Sequence, residues 1–211
     1  MIDHTELKPI ATEDRIRELC HEAVENEFGT VCVNSCCVEI ALEELKDSDV
    51  EVCSVVGFPL GAMLTDAKAF ETKSAVEKGA TEIDMVMNLG MLKSGNLKGV
   101  EKDIAAVVKA AKSNTVKVIL ETGYLTEDEI VTACKTVKKA GAHFVKTSTG
   151  FGPRGASIED VRIMQDTVGD ALGIKAAGGI GTYEDAISMI DAGATRIGAS
   201  RGIDIIKGAK K

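Results

Sequence analysis

The chain has 211 residues, enough for one sizeable core and too few for two comfortable domains, so residues 1–211 read as a single domain. Its 25 basic residues against 33 acidic ones give a net charge of −8, which argues against a nucleic-acid binder or a protein held on an anionic membrane surface. Aromatic residues make up only 3%, so stacking platforms for single strands are missing and the core must be built from Val, Ile, Leu, Ala and Met.

In chain order, Met1 leads straight into a first strand, Ile2–Thr5, with no charged n-region and apolar h-region, and no later apolar run reaches transmembrane length. A cytoplasmic protein is expected. Further strands are expected at Val31–Asn34, Val50–Gly57, Glu82–Asn88, Val116–Thr122, Phe144–Thr149, Ile174–Ala177 and Thr195–Gly198, each rich in Val and Ile. Between them, Leu97, Val100, Ile104, Val107 and Ala111 fall on one helical face, as do Ile130, Ala133, Cys134 and Val137. Thr126-x-x-Glu129, Ser157-x-x-Asp160 and Thr182-x-x-Asp185 have the form of capping boxes. Gly29, Gly79, Gly141 and Gly193 stand where helices should end before the next strand. Eight strands alternating with helices, with no long linker, fit a (β/α)8 barrel better than an open doubly wound sheet.

The cysteines Cys20, Cys32, Cys36, Cys37, Cys53 and Cys134 are expected as free thiols, since several sit on apolar faces and no signal peptide accompanies them. Cys32-x-x-x-Cys36-Cys37 has the look of half a zinc site, but no matching pair follows at zinc-site spacing. His4, His21 and His143 form no His-x-His or His-Glu-x-x-His pattern. Neither a metal nor another cofactor is expected.

In a barrel, alternate strand residues point inward and catalytic groups gather toward the C-terminal strand ends. That parity turns Lys117, Ile119 and Glu121 of the fifth strand inward, together with Asp84, Val86 and Asn88 of the fourth. Asp3 and Thr5 of the first strand join them, with Cys32 and Asn34 of the second. Lys146 in His143-Phe144-Val145-Lys146-Thr147-Ser148-Thr149-Gly150 and Lys175 in Gly173-Ile174-Lys175-Ala176-Ala177 complete a polar interior. Such charges could be a purely structural ion network, yet a buried network adds little net stability, while groups that perturb each other's ionisation mark active sites. A desolvated lysine becomes an amine nucleophile toward carbonyls, so Lys146, Lys175 and Asp84 are candidate catalytic residues.

Glycines follow three strands in succession: Thr149-Gly150-Phe151-Gly152, Gly178-Gly179 and Gly198-Ala199-Ser200-Arg201-Gly202. Backbone N–H groups freed there, and the start of a short last helix, point to a phosphate site in the loops where barrels usually hold one.

These motifs resemble the deoxyribose-phosphate aldolase family over nearly the whole chain. The resemblance rests on Asp3-His4-Thr5-x-Leu7-Lys8-Pro9, Val31-Cys32-Val33-Asn34, Val56-Gly57-Phe58-Pro59-Leu60-Gly61, Gly79 to Asn88, Lys117 to Thr122, Phe144 to Gly150, Lys175 to Gly179 and Ile197-Gly198-Ala199-Ser200. It implies reversible cleavage of 2-deoxy-D-ribose 5-phosphate to D-glyceraldehyde 3-phosphate and acetaldehyde, with a Schiff base on Lys146. The second lysine of the family matches Lys175, its proton-relay aspartate matches Asp84, and Asp3 is an accessory member. Phosphate-binding residues are expected at Thr149, Gly150, Gly178, Gly179, Gly198, Ser200 and Arg201. The partners expected are sugar phosphate and aldehydes, with assembly as a homo-oligomer, a dimer or a tetramer.

The chain departs from the family pattern in three places. It starts almost at the first strand, without the N-terminal helix that many relatives carry; Ser35 stands where proline is frequent; and Gly181 and Arg201 replace an arginine and a small residue. The last of these predicts an altered phosphate environment. Two other readings compete. A Schiff-base aldolase acting on keto acids would need an added carboxylate-binding arginine, for which Arg15, Arg154, Arg162, Arg196 and Arg201 offer few candidates. A non-catalytic sugar-phosphate-binding barrel would bind without turnover.

Overall fold

A computed structural model describes residues 1–209, in which eight parallel strands close into a barrel in sequence order. The strands are β1 (Ile2–Glu6), β2 (Thr30–Val33), β3 (Glu51–Val56), β4 (Glu82–Val86), β5 (Thr115–Ile119), β6 (Phe144–Lys146), β7 (Gly173–Ala177) and β8 (Arg196–Ala199). Around them lie α1 (Glu13–Glu25), α2 (Val38–Leu45), α3 (Thr65–Glu77), α4 (Leu89–Lys93), α5 (Leu97–Ala111), α6 (Glu127–Lys139), α7 (Ile158–Val168), α8 (Tyr183–Asp191) and α9 (Gly202–Gly208). The (β/α)8 architecture expected from the strand–helix alternation is the one observed.

The apolar core is the layer between strands and helices. Ile83 and Met85 of β4 and Val116 and Val118 of β5 point outward and are buried together with Val100, Ile104, Val107 and Ala111 of α5. Leu97, assigned to the same stripe from its spacing, is 38% exposed because it opens the first turn of α5. The barrel interior holds a small apolar cluster, Leu7, Cys32, Cys53 and Val55 with Phe58 against it, and the inward Val86 and Ile119, beside a group of buried charged side chains.

Several strands end earlier than their sequence suggests, and the reason lies in side chains. Asn88, expected as an inward strand residue, instead caps α4, its Oδ1 accepting from the Met91 N–H at 3.0 Å. Beyond Lys146 the Thr147 N–H still donates to the Lys175 carbonyl at 3.0 Å, and its hydroxyl takes over the next pairing, donating to the Ala177 carbonyl at 3.0 Å and accepting from the Ala177 N–H at 3.1 Å. The fifth strand stops at Ile119, after which Glu121 adopts a left-handed conformation, φ 50°.

Helix starts follow expectation at Thr126 and Thr182, where both halves of the capping box form. At Ser157 only one half does: its hydroxyl accepts from the Asp160 N–H, while the Asp160 carboxylate pairs with Arg154. Gly79, Gly141 and Gly193 take the positive φ expected of them, but the turn before β2 places Glu27 rather than Gly29 there, at φ 52°.

Helix α3 also secures the strand ends that carry the site. Its Lys68 is fully buried, donating to Asp103 of α5 at 2.6 Å and to the Val86 carbonyl at the end of β4 at 2.9 Å. One turn on, Glu71 accepts from the Gly57 N–H at 2.9 Å and from the Ser35 hydroxyl at 2.8 Å. One helix thus fixes the loops after β2, β3 and β4. The Ser35 hydroxyl donates a hydrogen bond here that proline could not make.

Candidate active site

Strand register brings the expected catalytic residues together. Lys146 on β6 lies directly opposite Lys175 on β7, and Asp84 on β4 lies opposite Lys117 on β5. All point into the barrel, where the side chains of Lys117, Lys175 and Asp84 have no solvent exposure. Asp84 is the hub: its Oδ2 accepts from Lys146 and from Lys175, each at 2.7 Å, and its Oδ1 accepts from Lys117 at 2.9 Å. Asp3 on β1 pairs with Lys175 from the other side. Gly198 makes this arrangement possible, because a Cβ there would lie 2.8 Å from Lys175 Cε.

Beneath this layer sit two residues the sequence reading passed over. Glu82, two positions before Asp84 and therefore on the same inward face, pairs with Lys117 and with Arg196. Arg196 closes the lower end, pairing with Asp3 at 2.7 Å and stacking over the Phe144 ring. The parity that placed Asp84 inward also marks Glu82, whereas nothing local in the sequence marks Arg196. Glu121, grouped with the lysines from its parity, belongs elsewhere: it accepts from the Thr149 N–H at 3.2 Å and from the Thr149 hydroxyl. The early end of β5 turns it toward the loop after β6.

The network contains four cations, Lys117, Lys146, Lys175 and Arg196, against three carboxylates, Asp3, Glu82 and Asp84. Burial alone would raise Asp84, but Lys117, Lys146 and Lys175 outweigh it and hold the carboxyl well below the usual range. Burial likewise opposes ionisation of Asp3, and Lys175, Lys117 and Arg196 bring it down to about 2. Desolvation works against the Lys175 charge, and Asp3 and Asp84 more than compensate, raising its pKa. For Lys117 burial is again overcome, here chiefly by Asp84, and its pKa rises strongly. Lys117 and Lys175 are therefore held in their charged forms, and Lys146 has Asp84 as its one carboxylate partner among the described residues.

Arg196 meets solvent at the lower end of the network, and Lys146 is the member that reaches the opposite, C-terminal end of the barrel. A cavity of about 400 Å³ sits over the C-terminal ends of the strands, with Lys146 in its floor. All seven expected phosphate-site residues line it: Thr149, Gly150, Gly178, Gly179, Gly198, Ser200 and Arg201. Lys8, Phe151 and Ile180, which were not singled out as site residues, line it too. Asp3, Asp84 and Lys175 lie below its floor. Among the described residues, the backbone N–H groups of Gly150, Gly179 and Ser200 have no protein acceptor. Helix α9, expected to offer its N-terminus, has only seven residues.

The half zinc site does not assemble, because Cys32 faces the barrel interior while Cys36 is exposed on the outside. Cys32, Cys53 and Asp84 do converge within 4.8 Å. A metal ion among them would meet three ammonium groups already on Asp84. Cys53 instead donates to Asp84 Oδ1 at 3.2 Å.

The profile of the DeoC/LacD family aldolases matches residues 1–208. The chain belongs to this family. It is 58% identical to the deoxyribose-phosphate aldolase of Caldanaerobacter subterraneus subsp. tengcongensis, covering 100% of this chain and 93% of that one. To the deoxyribose-phosphate aldolase of Streptococcus sanguinis it is 58% identical, over 98% of this chain and 94% of the relative. The solved tetrameric deoxyribose phosphate aldolase of Aeropyrum pernix superposes with a TM-score of 0.93 at 33% identity, covering 100% of this chain and 89% of that one. In this family aldolase, the motifs that carried the resemblance in the sequence are the ones that converge on the cavity and its floor.

Proposed function

We propose that this chain is a deoxyribose-phosphate aldolase, reversibly cleaving 2-deoxy-D-ribose 5-phosphate to D-glyceraldehyde 3-phosphate and acetaldehyde through a Schiff base on Lys146. The observation that carries the assignment of Lys146 is its position as the member of the buried network that lines the cavity, with Asp84 against its amine.

The Lys146 amine attacks the C1 aldehyde of the open-chain sugar, and loss of water from the carbinolamine gives an iminium ion. The C3 hydroxyl then loses its proton, the C2–C3 bond breaks, and its electron pair passes into the C1–nitrogen system as an enamine. D-glyceraldehyde 3-phosphate departs. Protonation of the enamine at C2 and hydrolysis of the resulting iminium release acetaldehyde and restore the amine. Asp84, 2.7 Å from Lys146 Nζ, holds the nitrogen in place and takes part in these proton transfers with Lys175, while Asp3 keeps Lys175 in position. Thr149, Gly150, Gly178, Gly179, Gly198, Ser200 and Arg201 receive the 5-phosphate, with free N–H groups as donors.

No described helix is long and apolar enough to cross a membrane. The reading includes work in the cytoplasm, where the six free thiols suit a reducing compartment, and assembly into a homo-oligomer. The tetrameric Aeropyrum pernix relative supports assembly, as do the exposed Leu60, Leu64 and Phe70. Acetaldehyde release from deoxyribose 5-phosphate, followed with a coupled dehydrogenase, tests the activity. Turnover abolished in Lys146→Ala is the expected result. A wild-type protein that binds the sugar phosphate without releasing acetaldehyde would refute the reading.

A further inference from the structure

Gly178 and Gly179 adopt φ of 90° and 81°, so their backbone conformation calls for glycine, but Gly181 has no positive φ. What it provides is room. A methyl group at 181 would overlap the guanidinium of Arg201, which occupies the space a Cβ would take. The bed beneath is fixed, because the Asp185 carboxylate accepts from the N–H groups of Gly181 at 3.1 Å and Thr182 at 3.0 Å, at the start of α8. Asp185 thus takes its hydrogen bonds from backbone donors, and Arg201 adds only a weaker charge attraction to it, without an ion pair.

Arg15, Arg17, Arg154 and Arg196 are each held by carboxylates. Arg201 makes no ion pair or side-chain hydrogen bond among the described residues, and it lies in the wall of the cavity beside Gly178 and Gly179. The free N–H groups of that wall are neutral donors, whereas a phosphate monoester carries close to two negative charges at neutral pH. With Lys146 reserved for the carbonyl, the cations left are Lys8 and Arg201, and a planar guanidinium can bind two phosphate oxygens at once.

We propose that Gly181 and Arg201 form one specificity unit, in which the bare backbone at 181 seats the guanidinium that binds the substrate phosphate and sets the preference for phosphorylated over unphosphorylated sugar. The inference rests on the aldolase reading and adds to it which side chain supplies the charge and what holds it there. An overlap with the far end of a flexible side chain is relieved by moving that side chain, so Gly181→Ala should fold normally and displace the guanidinium.

The experiment measures kcat/KM for deoxyribose 5-phosphate and for deoxyribose, with calorimetric binding of inorganic phosphate as a readout that needs no turnover. Arg201→Met and Gly181→Ala should each lower the phosphorylated-to-unphosphorylated ratio by roughly 10- to 100-fold, the scale of a lost charge-assisted hydrogen bond, and weaken phosphate binding in parallel. The double variant should be no worse than Arg201→Met alone, since residue 181 acts only through the arginine. Arg201→Lys in the Gly181→Ala background, with a compact ammonium in place of the guanidinium, should recover part of the ratio. An unchanged ratio and unchanged phosphate binding in Arg201→Met would overturn the proposal, as would fully additive effects in the double variant or a Gly181→Ala protein with the wild-type ratio. Failure of the wild-type protein to turn over deoxyribose 5-phosphate would instead sink the activity reading, and phosphate calorimetry would still judge Arg201.

Discussion

Lys146 and Lys175 share a single oxygen atom: both ammonium nitrogens lie 2.7 Å from Asp84 Oδ2. Two cations on one acceptor repel each other, and the two differ in what else holds them. Lys175 has Asp3 behind it, whereas Lys146 has only the shared oxygen and the open cavity.

That asymmetry predicts where a covalent adduct forms. Borohydride added with acetaldehyde or deoxyribose 5-phosphate should reduce an imine onto Lys146 and inactivate the enzyme permanently. Peptide mapping by mass spectrometry checks the position. An adduct on Lys175 or Lys117 would mean that the charge balance within the barrel has been misassigned.

Lys175→Met should change the pH dependence of trapping. The substitution removes the like charge that shares Asp84 Oδ2 with Lys146. Imine trapping should then set in at higher pH, and turnover at neutral pH should fall by about 10²-fold or more. A less stable protein whose folded fraction traps imine with the wild-type pH profile would assign Lys175 a packing role only.

Asp3 makes the acid limb of stability testable. Its folded pKa of about 2 lies below the ordinary 3.8, so its contribution is present above about pH 4 and disappears as pH falls through about 2. A shift of that size corresponds to about 2 kcal/mol. Lys175 has the opposite sign: its raised pKa gives a contribution that persists below its ordinary value and is lost only in strong alkali. Urea unfolding of wild type and Asp3→Asn between about pH 4 and 2 should show a shallower loss in the variant, with the remaining slope owed to Asp84 and other carboxylates. Identical slopes would count against this assignment.

Lys68 offers a stability test away from the chemistry. Lys68→Met leaves Asp103 buried with only the Thr65 hydroxyl as a donor and should cost about 3–5 kcal/mol, whereas Lys68→Met with Asp103→Leu should regain part of that loss. Chemical denaturation of the two variants distinguishes them. If the double variant is as unstable as the single one, the bond from Lys68 to the Val86 carbonyl, rather than the ion pair, carries the stabilisation.

Sequence alone determined the barrel, because eight Val- and Ile-rich runs alternate with helical stripes and several joints carry recognisable caps or glycines. The period-2 alternation along a strand likewise fixed the inward direction of Asp84, Lys117, Lys146 and Lys175, since that direction depends only on local backbone geometry. Strand ends were less legible: Asn88, Thr147 and Glu121 leave the ladder through side-chain bonds and a left-handed turn that strand propensity does not register. Which groups share an atom was decided only by closure of the barrel. Arg196 meets Asp3 across 193 positions of sequence and Lys175 meets Asp84 across 91, separations at which no local pattern carries information. The tertiary structure also supplied the charge count, because four cations and three carboxylates interact strongly only when one desolvated interior encloses them all.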